Sequence, residues 1–356
     1  MKLHRIFLAL ALVLVLALAA CQPQAATPAA EEPAAEEPAA EEPAAEEPAA
    51  EDGPFRVAVV TPSTTNDLAF SQSINDALLA IQEERGAENF EFVVSENLFV
   101  VDDAAAAIRD YASQGYDLVI AHGSQYGTSL VEIAPDFPDL PFAWGTTVDT
   151  FQDQGIENVF AYEARSEQGG YVLGVIGAML SESNTIGVVG PVETGDAKLY
   201  VDGFEFGVLA QNPDATVNKN YIGSFSDVAL AAEAANTHIQ GGADVLTGTA
   251  QMVVGAVGVA EENGVLWFGT QAEQTSLAPD IVVANQVYRW EVVLREIFDR
   301  IENGQLGGEA FAITLENGGL EIVYNDAYEL PDDVRAAADE AVQGIIDGSI
   351  TVDVVE

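Results

Sequence analysis

From Phe55 onward, short apolar segments alternate with amphipathic segments of helical period, and this alternation constrains the fold more than any other feature. The predicted strands are 55–60, 90–95, 117–121, 142–144, 158–162, 185–189, 218–222, 244–246, 265–268 and 281–284. The predicted helices are 69–85, 102–114, 125–134, 167–182, 197–211, 226–240, 252–263, 288–303 and 332–347. Strands that alternate with helices form parallel sheets covered on both faces, so the chain is predicted to be an α/β protein.

The number of predicted strands indicates two sheets rather than one. A single sheet of about ten strands would be unusually wide, and 356 residues favour two domains. Residues 163–168 suit a crossing between two lobes. We expect lobe 1 to comprise 54–163 plus about 287–318, and lobe 2 to comprise 164–286 plus about 319–356. A cleft between two such lobes is the expected place for a small ligand.

The amino terminus is predicted to be a processed segment that ends in a lipid anchor. Residues 1–20 join the basic residues Lys2 and Arg5 to an apolar run, as in a signal peptide. Small residues precede the cysteine in Leu18-Ala19-Ala20-Cys21, which forms a lipobox, so Cys21 is the predicted lipidation site. The apolar run is too short for a comfortable membrane span. We therefore expect the lipid alone to hold the protein at the extracytoplasmic face of the cell membrane.

Residues 21–53 are predicted to be a tether. The unit Pro-Ala-Ala-Glu-Glu repeats from Pro28 onward, lacks residues that could build a core, and repels itself through its like charges. The formal net charge of −46 far exceeds the ten acidic residues of this tether, so most of the excess belongs to the folded part. Nucleic-acid binding needs a basic footprint, so a nucleic acid is not expected as a partner.

The sequence contains no recognisable catalytic or metal-binding set. The folded part has two isolated histidines and no cysteine, which argues against a zinc site. His122 follows a strand at a loop end that could face the cleft, and His238 is expected to be exposed on a helix. Ser124 lacks the Gly-x-Ser-x-Gly pattern of a nucleophile elbow, and no pair of carboxylates stands out as a glycosidase pair. We expect a binding protein without enzymatic activity, cofactor or metal, and a surface hydrolase is the weakest alternative.

Polar and aromatic residues cluster after the predicted strands, where ligands bind in open α/β sheets. The first strand leads into Asn66, Asp67 and Phe70. Asp67 suits a ligand contact or a helix cap, and Phe70 suits ligand stacking or core packing. The further candidates from strand ends of both lobes are Gly123, Ser124, Trp144, Gly145, Thr146, Thr249, Gln251, Gln271, Tyr288 and Trp290. Such a set suits a flat, neutral, heteroatom-rich ligand on which Phe70, Trp144 or Trp290 would stack.

Several segments occur in the order found in one family of receptors. They are Asn66-Asp67-Leu68-Ala69-Phe70-Ser71, Gly123-Ser124, Asp136-Phe137-Pro138, Gly169-Gly170-Tyr171-Val172-Leu173-Gly174, Gly203-Phe204-Glu205-Phe206-Gly207, Asn212-Pro213-Asp214, Gly241-Gly242-Ala243-Asp244-Val245 and Trp267-Phe268-Gly269. Over residues 55–352 the chain resembles the basic membrane protein family, the PnrA-like substrate-binding lipoproteins of ABC transporters. The resemblance implies a type I periplasmic-binding fold of two Rossmann-like lobes around a central cleft. It also implies a purine nucleoside or nucleobase as ligand and an ABC permease as partner.

The resemblance implies roles for individual residues as well. Phe70 would stack on the base, and Asn66 and Asp67 would make polar contacts from the same loop. Gly123 and Ser124 match a loop that brings backbone close to the cleft.

At four positions the chain departs from the nucleoside-binding members of that family. Those members tend to carry aspartates in place of Gly145 and Gln271, a lysine in place of Tyr288 and a glutamate in place of Gln168. Two carboxylates that would accept hydrogen bonds from ribose hydroxyls are therefore missing here. We expect a purine base or another neutral planar molecule as ligand, with a nucleoside next. The alternatives are a sugar or amino-acid receptor of the same fold, and a sensory co-receptor rather than a transport component.

Overall fold

The computed structural model describes residues 53–354, so the predicted signal peptide, the lipidation site Cys21 and nearly all of the tether lie outside the described residues. The strands are β1 (Phe55–Val60), β2 (Phe90–Ser95), β3 (Leu118–His122), β4 (Phe142–Gly145), β5 (Val159–Ala164), β6 (Thr185–Gly190), β7 (Thr216–Tyr221), β8 (Val245–Gly248), β9 (Leu266–Gln271), β10 (Val282–Tyr288), β11 (Ala310–Ile313) and β12 (Leu320–Tyr324). The α-helices are α1 (Phe70–Arg85), α2 (Val101–Ala112), α3 (Gly127–Ile133), α4 (Ser166–Leu180), α5 (Gly195–Gln211), α6 (Val228–Gln240), α7 (Val253–Asn263), α8 (Glu291–Glu302) and α9 (Asp332–Ile346).

The strands form two six-stranded sheets, which confirms the predicted α/β fold with two lobes. The first sheet has the order β11-β5-β4-β3-β1-β2 and the second has the order β12-β10-β9-β8-β6-β7. All pairings in the first sheet are parallel. In the second sheet β12 runs antiparallel to β10, and the other pairings are parallel. Lobe 1 denotes the first sheet with its packed helices, and lobe 2 denotes the second.

The described chain passes between the two sheets three times. It crosses at Arg165 between β5 and α4, over residues 289–290 between β10 and α8, and over residues 314–319 between β11 and β12. Neither β11 nor β12 is predicted by the sequence pattern. Both are short edge strands, and the glycine pairs 307–308 and 318–319 beside them interrupt the apolar period on which the prediction depends.

Two local predictions are wrong. Residues 285–287, expected to lie beyond a strand, and Tyr288, expected to begin a helix, form the end of β10, where every residue is buried between β9 and β12. His238, expected to be exposed, is buried on α6, and its Nε2 donates to the carbonyl oxygen of Val188 at 3.2 Å. The ring fits because Gly187 on the strand below has no side chain: a Cβ there would lie 2.6 Å from His238.

Helices α4 and α5 of lobe 2 pack with their backbones in direct contact. A Cβ at Gly170 would lie 2.6 Å from the carbonyl oxygen of Tyr200, and one at Gly207 would lie 2.7 Å from the carbonyl carbon of Tyr171. The glycines at this contact are Gly170, Gly174, Gly203 and Gly207. A residue with a side chain would hold the two helices further apart, so the contact depends on glycine at both helices.

We expect Gly207→Ala to lower the free energy of unfolding by roughly 1–3 kcal/mol, the usual cost of overpacking. The new methyl group would meet the peptide group of Tyr171, which cannot rotate aside as a side chain can. Gly258→Ala is the matched control, because Gly258 also lies within a helix but has nothing within 4 Å of its Cβ position. Alanine there should be neutral or stabilising by up to ~1 kcal/mol. Urea unfolding followed by circular dichroism measures both variants, and equal midpoints would contradict the proposed role of the glycine contact.

Candidate ligand-binding site

A cavity is lined by residues at the carboxyl ends of strands in both lobes, which is the usual ligand position in open α/β sheets. The lining residues of lobe 1 are Pro62, Phe70, Phe99, Gly123, Ser124, Gln125 and Thr146. The lining residues of lobe 2 are Asp196, Ala197, Phe225, Ala250, Gln251 and Gln271. A ligand in this cavity would therefore touch both lobes at once.

The predicted site residues divide into two groups. Those that line the cavity are Phe70, Gly123, Ser124, Thr146, Gln251 and Gln271. Those that do not line it are Asn66, Asp67, Trp144, Gly145, Thr249, Tyr288 and Trp290. The residues of the second group lie beside or behind the lining residues, and several of them contact a lining residue and hold it in position.

The lining combines aromatic rings with uncharged polar groups. Its rings are Phe70, Phe99 and Phe225, and its amide side chains are Gln125, Gln251 and Gln271. Among the described residues that line the cavity, Asp196 is the one with a charged side chain. A phosphate or carboxylate on the ligand would therefore enter without a positive partner, and burying an unpaired charge is costly. The lining suits an uncharged or cationic ligand.

Phe70 is held at the cavity by a stack of three rings. Its phenyl ring lies nearly parallel to the imidazole of His122, with centroids 4.0 Å apart and planes at 14°. Tyr162 stacks on His122 in turn, at a centroid distance of 5.9 Å. Because His122 covers one face of the Phe70 ring, the face that remains for a ligand is the opposite one.

His122 is the last residue of β3 and is completely buried, so it does not face the cleft as a loop-end position would allow. Its Nε2 lies 3.3 Å from the carbonyl oxygen of Phe70, and its Nδ1 lies 2.7 Å from the Tyr162 hydroxyl. A carbonyl can only accept, so Nε2 carries the proton and Nδ1 accepts from the tyrosine. Burial lowers the pKa of His122 to about 3. The ring is therefore neutral at physiological pH and serves to hold Phe70.

Asp67 caps the first helix, one of the two roles that the sequence leaves open. Its carboxylate accepts hydrogen bonds from the backbone N–H groups of Ala69, Ser71 and Gln72 at 2.9, 3.1 and 3.1 Å. These bonds satisfy N–H groups that the start of a helix otherwise leaves unpaired. Asn66 is exposed in the preceding turn. The structure thus brings neither side chain into the cavity lining.

The two tryptophans considered for stacking pack elsewhere. Trp290 is fully buried, and its indole N–H donates to the hydroxyl of Ser73 at 2.9 Å. Trp144 stacks on Phe151 at a centroid distance of 4.9 Å, and its indole N–H donates to the carbonyl oxygen of Gly123 at 3.1 Å. Trp144 therefore supports the Gly123 loop from behind.

Gly145 and Thr249 are buried next to lining residues. A Cβ at Gly145 would lie 2.5 Å from the ring of Tyr162, so glycine here gives the ring stack its space. The Thr249 hydroxyl has no hydrogen-bond partner among residues 53–354.

Asp196 receives hydrogen bonds from both lobes. The Thr146 hydroxyl of lobe 1 donates to its Oδ1 at 3.3 Å. In lobe 2 the Gln271 amide and the Tyr288 hydroxyl donate to its Oδ2 at 3.4 and 3.2 Å. All three donors are neutral. Burial raises the pKa of Asp196, and these hydrogen bonds, which lower it, offset the effect of burial only in part. Tyr288 thus does not line the cavity itself but holds the Asp196 carboxylate, which does.

The backbone of lobe 2 is strained at two lining residues. Ala250 has φ = 72° and Gln271 has φ = 74°, a region that residues with side chains rarely adopt. The two are joined, since the backbone N–H of Ala250 donates to Oε1 of Gln271 at 3.2 Å. Such conformations cost on the order of 1–3 kcal/mol each and concentrate at functional sites. The strain therefore supports a functional role for these two strand ends.

The cavity is small because the lobes are close together. The cavity volume is about 30 Å³, well below the ~300–1,000 Å³ of a typical small-molecule pocket. Hydrogen bonds cross directly between the lobes, among them the bond from Thr146 to Asp196 and the bond from the Gln274 amide to the Leu68 carbonyl, each 3.3 Å. A ring-sized ligand requires the lobes to separate.

Seven lining residues were not among the predicted site residues, namely Pro62, Phe99, Gln125, Asp196, Ala197, Phe225 and Ala250. Each follows a strand, so its position in the chain was informative. Asp196 begins the helix after β6 of lobe 2, the place that Asp67 and Phe70 hold after β1 of lobe 1. Asp67 bonds to the backbone of its own helix, whereas Asp196 faces the cavity. Residue type alone does not predict this difference in side-chain direction.

Within residues 53–354, no helix combines the length and the apolar character needed to cross a membrane. No three side chains of histidine, cysteine, aspartate or glutamate in the same range come together as a metal site would require.

The sequence is similar to several named proteins, with about one residue in four identical. A purine-binding protein of Brucella abortus is 25% identical over 295 residues, which cover 83% of this chain and 82% of that protein. A putative ABC transporter glucose-binding protein of Haloferax volcanii is 24% identical, over 80% of this chain and 71% of that protein. The transcriptional activator protein Med of Bacillus subtilis is 25% identical, over 75% of this chain and 81% of that protein.

Solved structures of solute-binding proteins share the fold. One from Aeropyrum pernix has a TM-score of 0.72 at 19% identity, over 84% of this chain and 93% of that chain. One from Conexibacter woesei has a TM-score of 0.68 at 24% identity, over 83% of this chain and 98% of that chain. The family model described as ABC transporter substrate-binding protein PnrA-like matches residues 55–353. Proteins of this kind bind solutes for a transporter and are not enzymes. The chain belongs to the PnrA-like family of ABC transporter substrate-binding proteins, which confirms the resemblance found in its sequence.

Proposed function

We propose that this protein is the lipid-anchored, extracytoplasmic receptor of an ABC importer and that its cleft binds a neutral planar heterocycle. A purine base is the first candidate and a purine nucleoside the second. The observation that carries the proposal is the lining of the cavity, which offers three phenyl rings and three amide side chains and contains no lysine or arginine among its described residues.

Each part of a purine base finds a counterpart in this lining. The open face of Phe70 offers a stacking surface, and stacking on an aromatic ring tolerates any planar base. The amides of Gln125, Gln251 and Gln271 each carry both donors and an acceptor, so they can pair with ring nitrogens and with exocyclic groups. Asp196 adds an acceptor for an N–H group.

The named relatives support two different ligand classes. The purine-binding relative supports a purine, and the glucose-binding relative supports the alternative of a sugar receptor. Both are about equally distant from this chain, so the choice between the classes depends on the lining. Its aromatic rings favour an aromatic ligand, although a sugar ring can also pack on such a face.

We propose that the lobes, 54–163 plus about 287–318 and 164–286 plus about 319–356, move as units about the three crossings. Opening breaks the bonds from Thr146 to Asp196 and from Gln274 to Leu68, and the ligand replaces them when the lobes close again. A membrane permease would recognise the closed form. A sensory co-receptor would use the same closure, and its partner would be a membrane sensor instead.

The ligand class can be tested by a thermal-shift screen of residues 22–356. Ligands that bind the folded state raise its melting temperature, by an amount that grows with concentration over Kd. We expect purine bases to give the largest shifts, nucleosides smaller ones, and sugars and amino acids none. Calorimetry of the positive ligands sets the order of affinity. Nucleosides that bind while free bases do not would reverse the proposed order, and shifts with sugars alone would refute the purine assignment.

The role of Phe70 can be tested with the best purine from that screen. We expect Phe70→Ala to weaken its binding by roughly 1–3 kcal/mol, since it removes the stacking surface. Phe206→Ala is the matched control, because Phe206 is 47% exposed and does not line the cavity. Calorimetry measures both variants after circular dichroism has shown that they are folded. If the two affinities agree, Phe70 does not contact the ligand.

The anchor can be tested through Cys21, which is the only cysteine of the sequence. We expect Cys21→Ser to abolish incorporation of a labelled fatty acid and to move the protein from the membrane fraction to the soluble fraction. Lipidation provides hydrophobic attachment that the polar tether lacks. Labelling that persists in the variant would contradict lipidation at Cys21.

A further inference from the structure

We propose that Asp196 determines which ligands the cleft accepts: its carboxylate takes a hydrogen bond from an N–H group of the ligand, so the cleft selects ligands with such a donor and rejects anions. The inference deepens the proposed function and takes its first probes from it. The argument depends on the bonds that Asp196 makes, on the absence of a cation beside it among residues 53–354, and on its effect on the stability of the fold.

The hydrogen bonds that Asp196 accepts are long, so a ligand N–H group could form a shorter and stronger one. Its three side-chain donors lie at 3.2 to 3.4 Å, whereas charge-assisted bonds to a carboxylate are typically about 2.7–2.9 Å long. Thr146 belongs to the opposite lobe, so this donor leaves Oδ1 when the lobes separate. A ligand N–H group between the lobes would take the place of Thr146.

No positive charge balances Asp196 in the described part of the chain. No lysine or arginine of residues 53–354 forms an ion pair with it, and Lys198, two residues further along the helix, pairs with Asp202 at 2.6 Å. The titratable group in contact with the carboxylate is the Tyr288 phenol, whose pKa burial raises, so it remains protonated and donates. The backbone N–H of Ala197 also faces the carboxylate. The ligand is therefore the remaining source of a strong donor or a positive charge.

The unbalanced carboxylate is a cost to the ligand-free fold. Burial raises the pKa of Asp196 above its ordinary value of 3.8, so ionisation is less favourable in the folded state than in the unfolded state. A side chain that costs stability and lines a cavity is a candidate for function. An asparagine would fit the same space, with its oxygen facing Gln271 and Tyr288 and its NH₂ group donating to the Thr146 hydroxyl.

The test compares two purines of different charge in Asp196→Asn. Both carry N–H donors, but adenine is neutral, whereas urate is an anion at neutral pH. We expect the affinity for adenine to fall roughly 10- to 100-fold, the range for a lost hydrogen bond to a charged group. The affinity for urate should stay the same or rise, because the repelling charge is gone. Calorimetry measures all four affinities, and the ratio of adenine to urate affinity is the readout.

The control variant is Glu193→Gln, which removes one negative charge from the same loop at an exposed residue outside the cavity lining. It should leave the ratio unchanged. If Asp196→Asn weakens both purines by the same factor or leaves both unchanged, the inference is wrong. If no purine binds, the proposed function fails by itself, and glucosamine against glucuronate gives the equivalent ratio for a sugar receptor.

A second measurement needs no ligand. Because the folded pKa of Asp196 is raised, the ionised side chain destabilises the fold. This cost is absent below the ordinary pKa of 3.8, grows as pH rises toward the folded pKa and is complete above it. We therefore expect Asp196→Asn to melt at a higher temperature than the wild type at pH 7, with the difference shrinking toward pH 4. A wild type that melts higher at pH 7 would show that Asp196 stabilises the structure, and would overturn the inference.

Discussion

The backbone contact between α4 and α5 sets the geometry on which the cleft of lobe 2 depends. Helix α4 begins directly after the crossing at Arg165, and the glycines of the contact let α5 lie against it without intervening side chains. The hydroxyl of Ser166, the first residue of α4, donates to the carbonyl oxygen of Asp196 at 2.6 Å. The start of α5 is therefore tied to the start of α4, and through it to the crossing. A wider helix spacing would displace Asp196 from Thr146 and Tyr288.

The two lobes contribute different physical elements to the cleft. Lobe 1 supplies a stack of rings that is buried, neutral and well satisfied, since both nitrogens of His122 are hydrogen-bonded. Lobe 2 supplies two features that lower the stability of the folded state. They are the Asp196 carboxylate, which has no positive partner among residues 53–354, and the positive φ angles of Ala250 and Gln271. Stability and function commonly oppose each other at binding sites. The division suggests that lobe 1 provides the platform for a ligand and lobe 2 the means to discriminate among ligands.

Sequence patterns predicted the fold well because buried strands and amphipathic helices each carry a period that a single chain displays. They failed at β11 and β12, two edge strands beside glycine pairs that interrupt the apolar period. For the cleft, chain position predicted Phe70, Ser124 and Gln271, which line the cavity, because ligands bind at strand ends in this architecture. Side-chain direction was not predictable, so Trp290 was expected in the cleft and lies behind it.

The composition of the whole chain and the chemistry of the cleft both disfavour an anionic ligand. The sequence has 58 acidic and only 12 basic residues. Most basic side chains of the described part pair with carboxylates, as Arg295 does with Glu84 away from the cavity. Arg300 is used in the same way, with Glu309 as its partner. A field of negative charge lowers the local concentration of anions before they reach the cleft, and inside it Asp196 opposes them again. An anionic solute would be repelled by the acidic surface and again by the Asp196 carboxylate in the cleft. A neutral heterocycle is repelled at neither place, and a ligand with N–H donors gains a hydrogen-bond acceptor in Asp196.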